Sequence, residues 1–479
     1  MMTQEKSGKW FEPVSVVMAL AALALLFLSI RFALERVIFT DTAVYLYTIA
    51  DTGKVYIATN RFICVLSQVL PLIGIAAGLS LKTIVYLYSV NCILIPLISS
   101  FVCMRVFRNR NMALAILLFY VLMNAWVFYY PVTEFQMGLC LLLLYHAFVL
   151  WFLEKPELKA WLFVLISLLF VPTVIFSHPL AIYVFVAWSV WMFQMHPQSR
   201  KRLMVMPPLL AIAIHFIKEI IFKAISGAAD YEAQRKEGLV NFKAPLSTYF
   251  DSLLGKGAVK ALTSDYFIML AVVALLLFFY ARRKQWVSLL LFTGTVCGFW
   301  LLVTVAFRDW PYDHYPEHLY QPVPFFITLA FAVAFPTLVQ KASVRALVLL
   351  VIFAVSIGKI YDNHQFYTGR LDWYRRYIHL MHQSGIRNAT LAEAHKIYGV
   401  QYSYWASNCE SMLLSALPGP DSAVRILVDG NAARLNENPS GNTHSNTAYF
   451  GNMREPFVSL DSLYGSHVLD SIASAIPKH

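Results

Sequence analysis

Long apolar runs dominate the chain and return at short intervals. Stretches long enough to span a bilayer as helices, about 17–25 residues each, fall at 14–33, 83–104, 112–129, 135–153, 160–176, 179–195, 204–225, 266–281, 286–306, 320–339 and 344–360. The stretch 62–79 is as apolar but is interrupted by Pro71, Gly74 and Gly78. Beyond about residue 361 the pattern changes: Asn, Ser, Gly and His replace Leu and Phe. There Leu371–Ser384 repeats with helical spacing, Ala423–Val428 reads as a strand, and 431–448 reads as a loop.

Composition sharpens this reading. The 479 residues are 59% hydrophobic and 14% charged, against about 25% charged in soluble domains. A soluble globular protein is excluded, and 15% aromatic residues argue against disorder. The net charge of +11 gathers largely in short loops between apolar segments, as the positive-inside rule requires, so no nucleic-acid partner is implied. Six cysteines form no CxxC, metal spacing or disulfide framework. Lys6 and Lys9 precede the first apolar run with no small-residue cleavage site after it, which reads as a retained signal anchor.

Charge arithmetic sets the expected topology. With a cytoplasmic N-terminus and 62–79 lying on or re-entering the membrane, the basic groups Arg105–Arg110, Lys155/Lys159, Arg200–Arg202, Arg282–Lys284 and Lys341/Arg345 all fall inside. If 62–79 crossed, every later cluster would flip outward. The expectation is therefore eleven spans. The loops 34–82, 129–134, 177–179, 226–265 and 307–319 lie outside, as does the tail. Residues 1–360 form the transmembrane module, and 361–479 form a small extracytoplasmic α/β or α+β domain.

Ionisable groups at a membrane boundary are expensive, which makes each a candidate functional residue. On the expected outer side stand Asp41, Asn60-Arg61, Glu134, His178, Arg308, Asp309, Asp313, His314, Glu317 and His318. Each has a plainer role. Asp41 fits an N-cap for a helix over Thr42–Ala50, Glu134 an interfacial carboxylate at a helix N-terminus, and His178 a turn residue before Pro179. The arginines fit snorkelling anchors. Together, carboxylates, arginines and histidines facing one compartment suit an enzyme acting on a lipid-linked phosphate. A carboxylate serves as general base and arginines pair with the phosphate.

The order of parts resembles the GT-C superfamily of membrane glycosyltransferases, which includes protein O-mannosyltransferases and the lipid A aminoarabinose transferase. The resemblance covers roughly 14–360. It rests on a first span followed by FTDTAVYLYTIADTG, a surface helix NRFICVLSQVLPLIGIAAG, the basic turn MRVFRNRN, the loop YYPVTEFQMG, the turn VIFSHPLAIYVF and the late loop PEHLYQPVPFFITLAF. Two departures stand out: Asp41 is followed by Thr42, not a second acid, and the late loop reads Glu317-His318-Leu319-Tyr320 where an arginine is expected.

The resemblance implies an all-α, GT-C-like polytopic fold with juxtamembrane helices in the first outside loop. It also implies transfer of a sugar, with inversion, from a polyprenyl-phosphate carrier to a lipid, glycan or protein acceptor outside the cytoplasm. Asp41 would be the base and Glu134 its support. Arg61, Arg308 and His318 would meet the donor phosphate; Asn60, His178, Glu317 and Tyr320 would contact substrate. The helix at 62–79 would guide the lipid. Trp373, Tyr374, Arg375, Arg376 and Tyr377 would contact headgroups or an acceptor glycan, or simply anchor an interfacial helix. Asp41, Glu134 and Asp309 offer oxygen ligands to a divalent cation, but no ligand spacing calls for one. A bacterial inner membrane is the expected location. A flippase or transporter of a lipid-linked saccharide and a non-enzymatic membrane scaffold are the alternatives.

Overall fold

The computed structural model of the protein describes residues 12–58, 61–155, 157–196, 202–226, 246–308, 316–391, 406–428, 447–450, 457–464 and 469. Its helices are α1 (Pro13–Arg31), α2 (Ala33–Val37), α3 (Thr40–Thr52), α4 (Val65–Ala76), α5 (Leu81–Arg105), α6 (Arg110–Leu122), α7 (Glu134–Leu153), α8 (Ala160–Ile175), α9 (Ala181–Met195) and α10 (Met206–Ser226). They continue with α11 (Leu246–Phe250), α12 (Leu253–Ser264), α13 (Phe267–Arg282), α14 (Trp286–Ala306), α15 (Pro322–Leu338), α16 (Ala342–Asp362), α17 (His364–Gln383), α18 (Ser407–Ser415), α19 (Thr447–Phe450) and α20 (Leu460–Tyr464). Three short strands, β1 (Asn388–Leu391), β2 (Arg425–Val428) and β3 (Val458–Ser459), form one parallel sheet in the order β2-β1-β3.

The protein is an integral, multi-pass membrane protein. Six helical stretches are long and apolar enough to cross: Pro13–Arg31, Leu81–Arg105, Glu134–Leu153, Leu203–Ile221, Trp286–Ala306 and a window within Ala342–Gln383. A seventh arises if α12 and α13, bent by 83°, form one broken span. All eleven expected segments carry helix. However, α6, α8, α9 and α15 are short, at 13, 16, 15 and 17 residues. The interrupted stretch 62–79 carries the 12-residue α4, which accommodates Pro71.

Cα proximity divides the chain into two compact units. The first comprises Met1–Leu25, Pro96–Ala125 and Glu134–Lys359; the second comprises Leu26–Ile95, Trp126–Thr133 and Ile360–His479. In the first unit every residue of α6 from Met112 to Leu122 is buried, as is α15 from Pro322 to Ala332. These two helices and α7 form its centre. By contrast α10 turns Leu209, Phe216, Ile217 and Ile220 outward, the mark of a lipid-facing helix. The basic turn after α5 is made by Arg108 in a left-handed conformation (φ 52°) and by Asn109, whose side chain accepts the N–H of Met112 at 3.1 Å as the N-cap of α6. Glu12 pairs with Arg110 and lies 3.7 Å from Arg345.

In the second unit the tail forms an α+β layer. α18 packs on β2, where Ser415 Oγ accepts from Val424 N at 2.9 Å and Ser411 Oγ from Ile426 N at 3.0 Å. The strand expected over 423–428 thus begins at Arg425, because the Ser415 hydroxyl occupies both the N–H and the C=O of Val424. The helix expected over Leu371–Ser384 is α17, which starts earlier, at His364. Of the expected loop 431–448, residues 447–448 open α19 and the rest lies outside the described residues. Asn388 of the Asn388-Ala-Thr390 sequon is buried in β1.

Candidate functional site

Asp41 owes its position to a sharp break between helices. After α2 the chain extends at Phe39 (φ −152°, ψ 123°), and Thr40 then adopts φ 39°, a left-handed conformation that costs a β-branched residue. Helix α3 begins there, with Phe39 as its N-cap and no side-chain cap from Phe39. Asp41 is therefore not the N-cap expected for Thr42–Ala50. It lies in the first turn, half-buried, where the helix dipole favours a carboxylate. Its Oδ2 accepts a hydrogen bond from the hydroxyl of buried Tyr130.

The capping is done by a residue far away in sequence. Glu410 Oε1, on α18, accepts the Thr40 backbone N–H at 2.5 Å. Glu410 is wholly buried and is held by Arg370 Nη2 at 2.6 and 2.9 Å, Arg370 Nε at 3.1 Å and the Tyr374 hydroxyl at 2.5 Å. The Arg370 guanidinium lies 5.0 Å from the Phe39 ring centroid, and Phe39 packs edge-on against Tyr130 at 6.0 Å and Tyr367 at 4.9 Å.

The segment carrying Tyr130 is itself fixed within the second unit. Arg36 donates to Phe128 O at 2.5 Å and to Ser89 Oγ at 2.8 Å. Tyr129 donates to Ile360 O at 2.9 Å, and Tyr367 donates to Trp126 O at 3.0 Å. Burial, followed by the negative charge of Asp41, pushes the Tyr56 hydroxyl above its ordinary value. Arg61 is half-buried and leads into the turn before α4, with its own N–H on Ala58 O at 3.0 Å. Gln68 on α4 bonds Tyr56 in both directions, at 2.6 and 2.9 Å, so the polar side of this helix faces protein while Leu66, Val69 and Ile73 face outward. Asn60 lies outside the described residues.

The other candidates belong to the first unit. Glu134 is the first residue of α7 and is 7% exposed. The next residue, Phe135, stacks on His178 with ring centroids 4.4 Å apart, and His178 Nδ1 accepts from Leu180 N at 3.2 Å. Lys218 of α10, only 4% exposed, sets its ammonium 5.8 Å from the ring of Phe176 in the same turn. Phe135, the neighbour of Glu134, and Lys218 therefore both reach the turn at residues 176–178.

Arg308 is exposed, and Asp309, Asp313 and His314 lie outside the described residues. Glu317 is fully buried; its Oε1 accepts from the Tyr266 hydroxyl at 2.5 Å and Ala125 N at 2.9 Å. His318 is nearly buried. Tyr320 is entirely inside, bonded to Thr304 Oγ1 at 2.9 Å and packed on Trp300 at 4.6 Å.

The expected outward role of the aromatic run in α17 does not hold. Trp373, Tyr374 and Tyr377 are buried, because they share the helical stripe of Tyr367, Leu371, Ile378 and Met381 that seals the second unit. Arg375 alone of the run is exposed, paired with Asp372 at 2.6 Å. Arg370 lies in that same stripe. A cation among apolar positions at helical spacing is the signal that would have pointed to a buried partner such as Glu410. No comparable signal marks Tyr130 or Tyr266.

Among the described residues no group of three or more His, Cys, Asp or Glu side chains is placed to hold a metal ion. An open groove of about 600 Å³ along Val205, Met206, Leu209, Leu210 and Ala213 is apolar and contains none of the candidate residues. Comparison with protein-family models, with curated proteins and with solved structures finds no match to this chain.

Proposed function

We propose that this protein is a membrane glycosyltransferase of GT-C type that moves a sugar from a polyprenyl-phosphate carrier to an acceptor hydroxyl, with Asp41 as general base. The observation that carries the reading is the hydrogen bond from Tyr130 to Asp41. It joins the first outside loop of the expected topology to the second, and it orients a half-buried carboxylate at the start of a juxtamembrane helix. An oriented carboxylate is what deprotonation of an incoming hydroxyl requires.

In the proposed reaction the acceptor oxygen attacks C1 of the sugar as the bond from C1 to the phosphate oxygen breaks. The acceptor proton passes to Asp41, and the polyprenyl phosphate leaves with the electron pair. The resemblance gives charge stabilisation on the leaving phosphate to Arg61, Arg308 and His318, support of the base to Glu134, and substrate contact to Asn60, His178, Glu317 and Tyr320. Eleven crossings, a cytoplasmic N-terminus and a periplasmic tail in a bacterial inner membrane complete the proposal. The meeting of Glu12 with Arg110 and Arg345 favours one side for the N-terminus and two of the basic turns.

The test has two stages. Native mass spectrometry should detect undecaprenyl phosphate on the wild type in preference to phosphatidylglycerol, with weaker binding to Arg61→Ala and Arg308→Ala measured separately. Sugar transfer from the charged carrier should then fall in Asp41→Asn by about 10²- to 10⁴-fold, the usual contribution of a positioned base. Binding no better than that of ordinary phospholipid would refute the carrier. Unchanged transfer in Asp41→Asn would refute the base.

One observation favours transport of a lipid-linked saccharide as a second reading: the cation Lys218 lies on the inward face of α10 with Ala211, while Leu209, Phe216, Ile217 and Ile220 face outward. Movement of labelled carrier across vesicles without sugar transfer, lost in Lys218→Met, would select it.

A further inference from the structure

We infer that Glu410 is a positioning residue for Asp41: a carboxylate of the C-terminal region that holds the left-handed turn from which the proposed base projects. The inference rests on the role assigned above to Asp41, but its geometry stands apart from that role. Three consecutive residues are gripped by three different contacts. Phe39 is packed between Arg370, Tyr367 and Tyr130. Thr40 is held by its backbone N–H on Glu410 Oε1 at 2.5 Å. Asp41 is held by the Tyr130 hydroxyl.

The middle contact does what the others do not. Thr40 adopts φ 39°, a conformation that persists in a non-glycine residue only when its surroundings over-determine it. The Thr40 N–H is also one of the orphan donors of α3, and a charged acceptor at a helix N-terminus is favoured twice, by the hydrogen bond and by the dipole. Glu410 is not free to move away. Arg370 reaches both of its oxygens and Tyr374 holds Oε2, and all three side chains are buried. A displacement of α18 or α17 is therefore passed to the residue next to Asp41. Glu410 meets this turn through the Thr40 backbone N–H, so its part in the proposed reaction is to position Asp41.

The experiment reads the reactivity of Asp41 directly. Full-length protein in detergent is treated with a water-soluble carbodiimide and an amine, well below its unfolding temperature, and modification of Asp41 is followed by peptide mass spectrometry. The exposed carboxylates Glu154 and Asp251 serve as internal references. Glu410→Asp keeps the charge but shortens the reach to Thr40. Asp41 modification should rise about tenfold, the population change that loss of one charge-assisted hydrogen bond corresponds to, while the references stay constant. Thr40→Gly, which keeps the N–H and adopts positive φ without strain, should leave the rate near wild type. Tyr374→Phe is the milder second variant, for use if Glu410→Asp does not fold, and should give a rise of about threefold.

A purely structural Glu410 would lower the unfolding temperature without altering Asp41 in the folded protein. Unchanged Asp41 modification in a folded Glu410→Asp or Tyr374→Phe variant overturns the inference. Undecaprenyl phosphate binding should be the same in Glu410→Asp as in wild type, and loss of binding with unchanged Asp41 labelling likewise overturns it. Failure of the wild type to bind the carrier would strike the transferase reading and leave the labelling result intact.

Discussion

The hydroxyl of Tyr266 donates to Glu317 Oε1 at 2.5 Å, and the backbone N–H of Ala125 reaches the same oxygen at 2.9 Å. A carboxylate from the loop before α15 is thereby tied to the end of α6 and to the residue that opens α13. Removing the Tyr266 hydroxyl leaves a buried acceptor short of a donor, which costs about 1–3 kcal/mol. Tyr266→Phe should therefore lower the unfolding temperature in detergent. A Tyr266→Phe protein as stable as wild type would show that this bond contributes nothing net.

Tyr130 and Asp41 make a separable pair. Under the proposed reaction, Tyr130→Phe should reduce sugar transfer by about tenfold, less than Asp41→Asn, because a carboxylate that is poorly held still accepts a proton. Circular dichroism should show both variants folded. Equal losses in the two variants would mean that the phenol takes part in proton transfer and does more than orient Asp41.

Gly138 leaves no room for a side chain. A Cβ there would lie 2.2 Å from Ser177 Oγ and 2.6 Å from Ser177 Cβ, where α7 presses on the turn that holds His178. Gly138→Ala should cost about 1–3 kcal/mol by overpacking. Ser177→Gly in the same chain should restore most of that loss, as read from thermal unfolding. No recovery would mean that the backbone, and not the Ser177 side chain, sets the fit.

Cys409 is buried beside Glu410, and burial followed by the Glu410 charge pushes its thiol up to about 12. A maleimide should leave it untouched in the folded protein at neutral pH and modify it after denaturation. The sign for stability follows from the raised value: the contribution is complete below the ordinary thiol value of 9.0 and is lost as pH climbs from there toward about 12. Cys409→Ser should flatten that alkaline loss. Rapid labelling of the native protein would contradict the packing of α18.

Much of the fold was legible from local pattern. Apolar runs read as helices are helices, because bilayer and protein interior both demand satisfied backbone groups, which a helix supplies within its own segment. The stripe Leu371, Tyr374, Ile378 and Met381 announces α17, and the short Val- and Ile-bearing apolar run Ala423–Val428 announces a strand, since such patterns are properties of neighbouring residues. Helix lengths were less legible. α6 stops at Leu122, well short of the apolar run that continues to residue 129, because the chain turns there to seat Trp126–Tyr130.

The candidate residues divide along the same line. That Asp41, Arg61, Glu134, His178, Arg308 and Glu317 are out of place near apolar helices follows from composition and the cost of charge in lipid. Which atoms each one meets does not. Thr40 and Glu410 are 370 positions apart, Tyr130 and Asp41 are 89 apart, and Glu317 and Ala125 are 192 apart. No local periodicity encodes such pairings. The sequence by itself determined a helical membrane protein with a short mixed tail, because hydrophobic burial is written residue by residue. The partner of each buried charge was decided only by tertiary packing, because a charge withdrawn from water must be satisfied by whichever group the folded chain brings within hydrogen-bond reach.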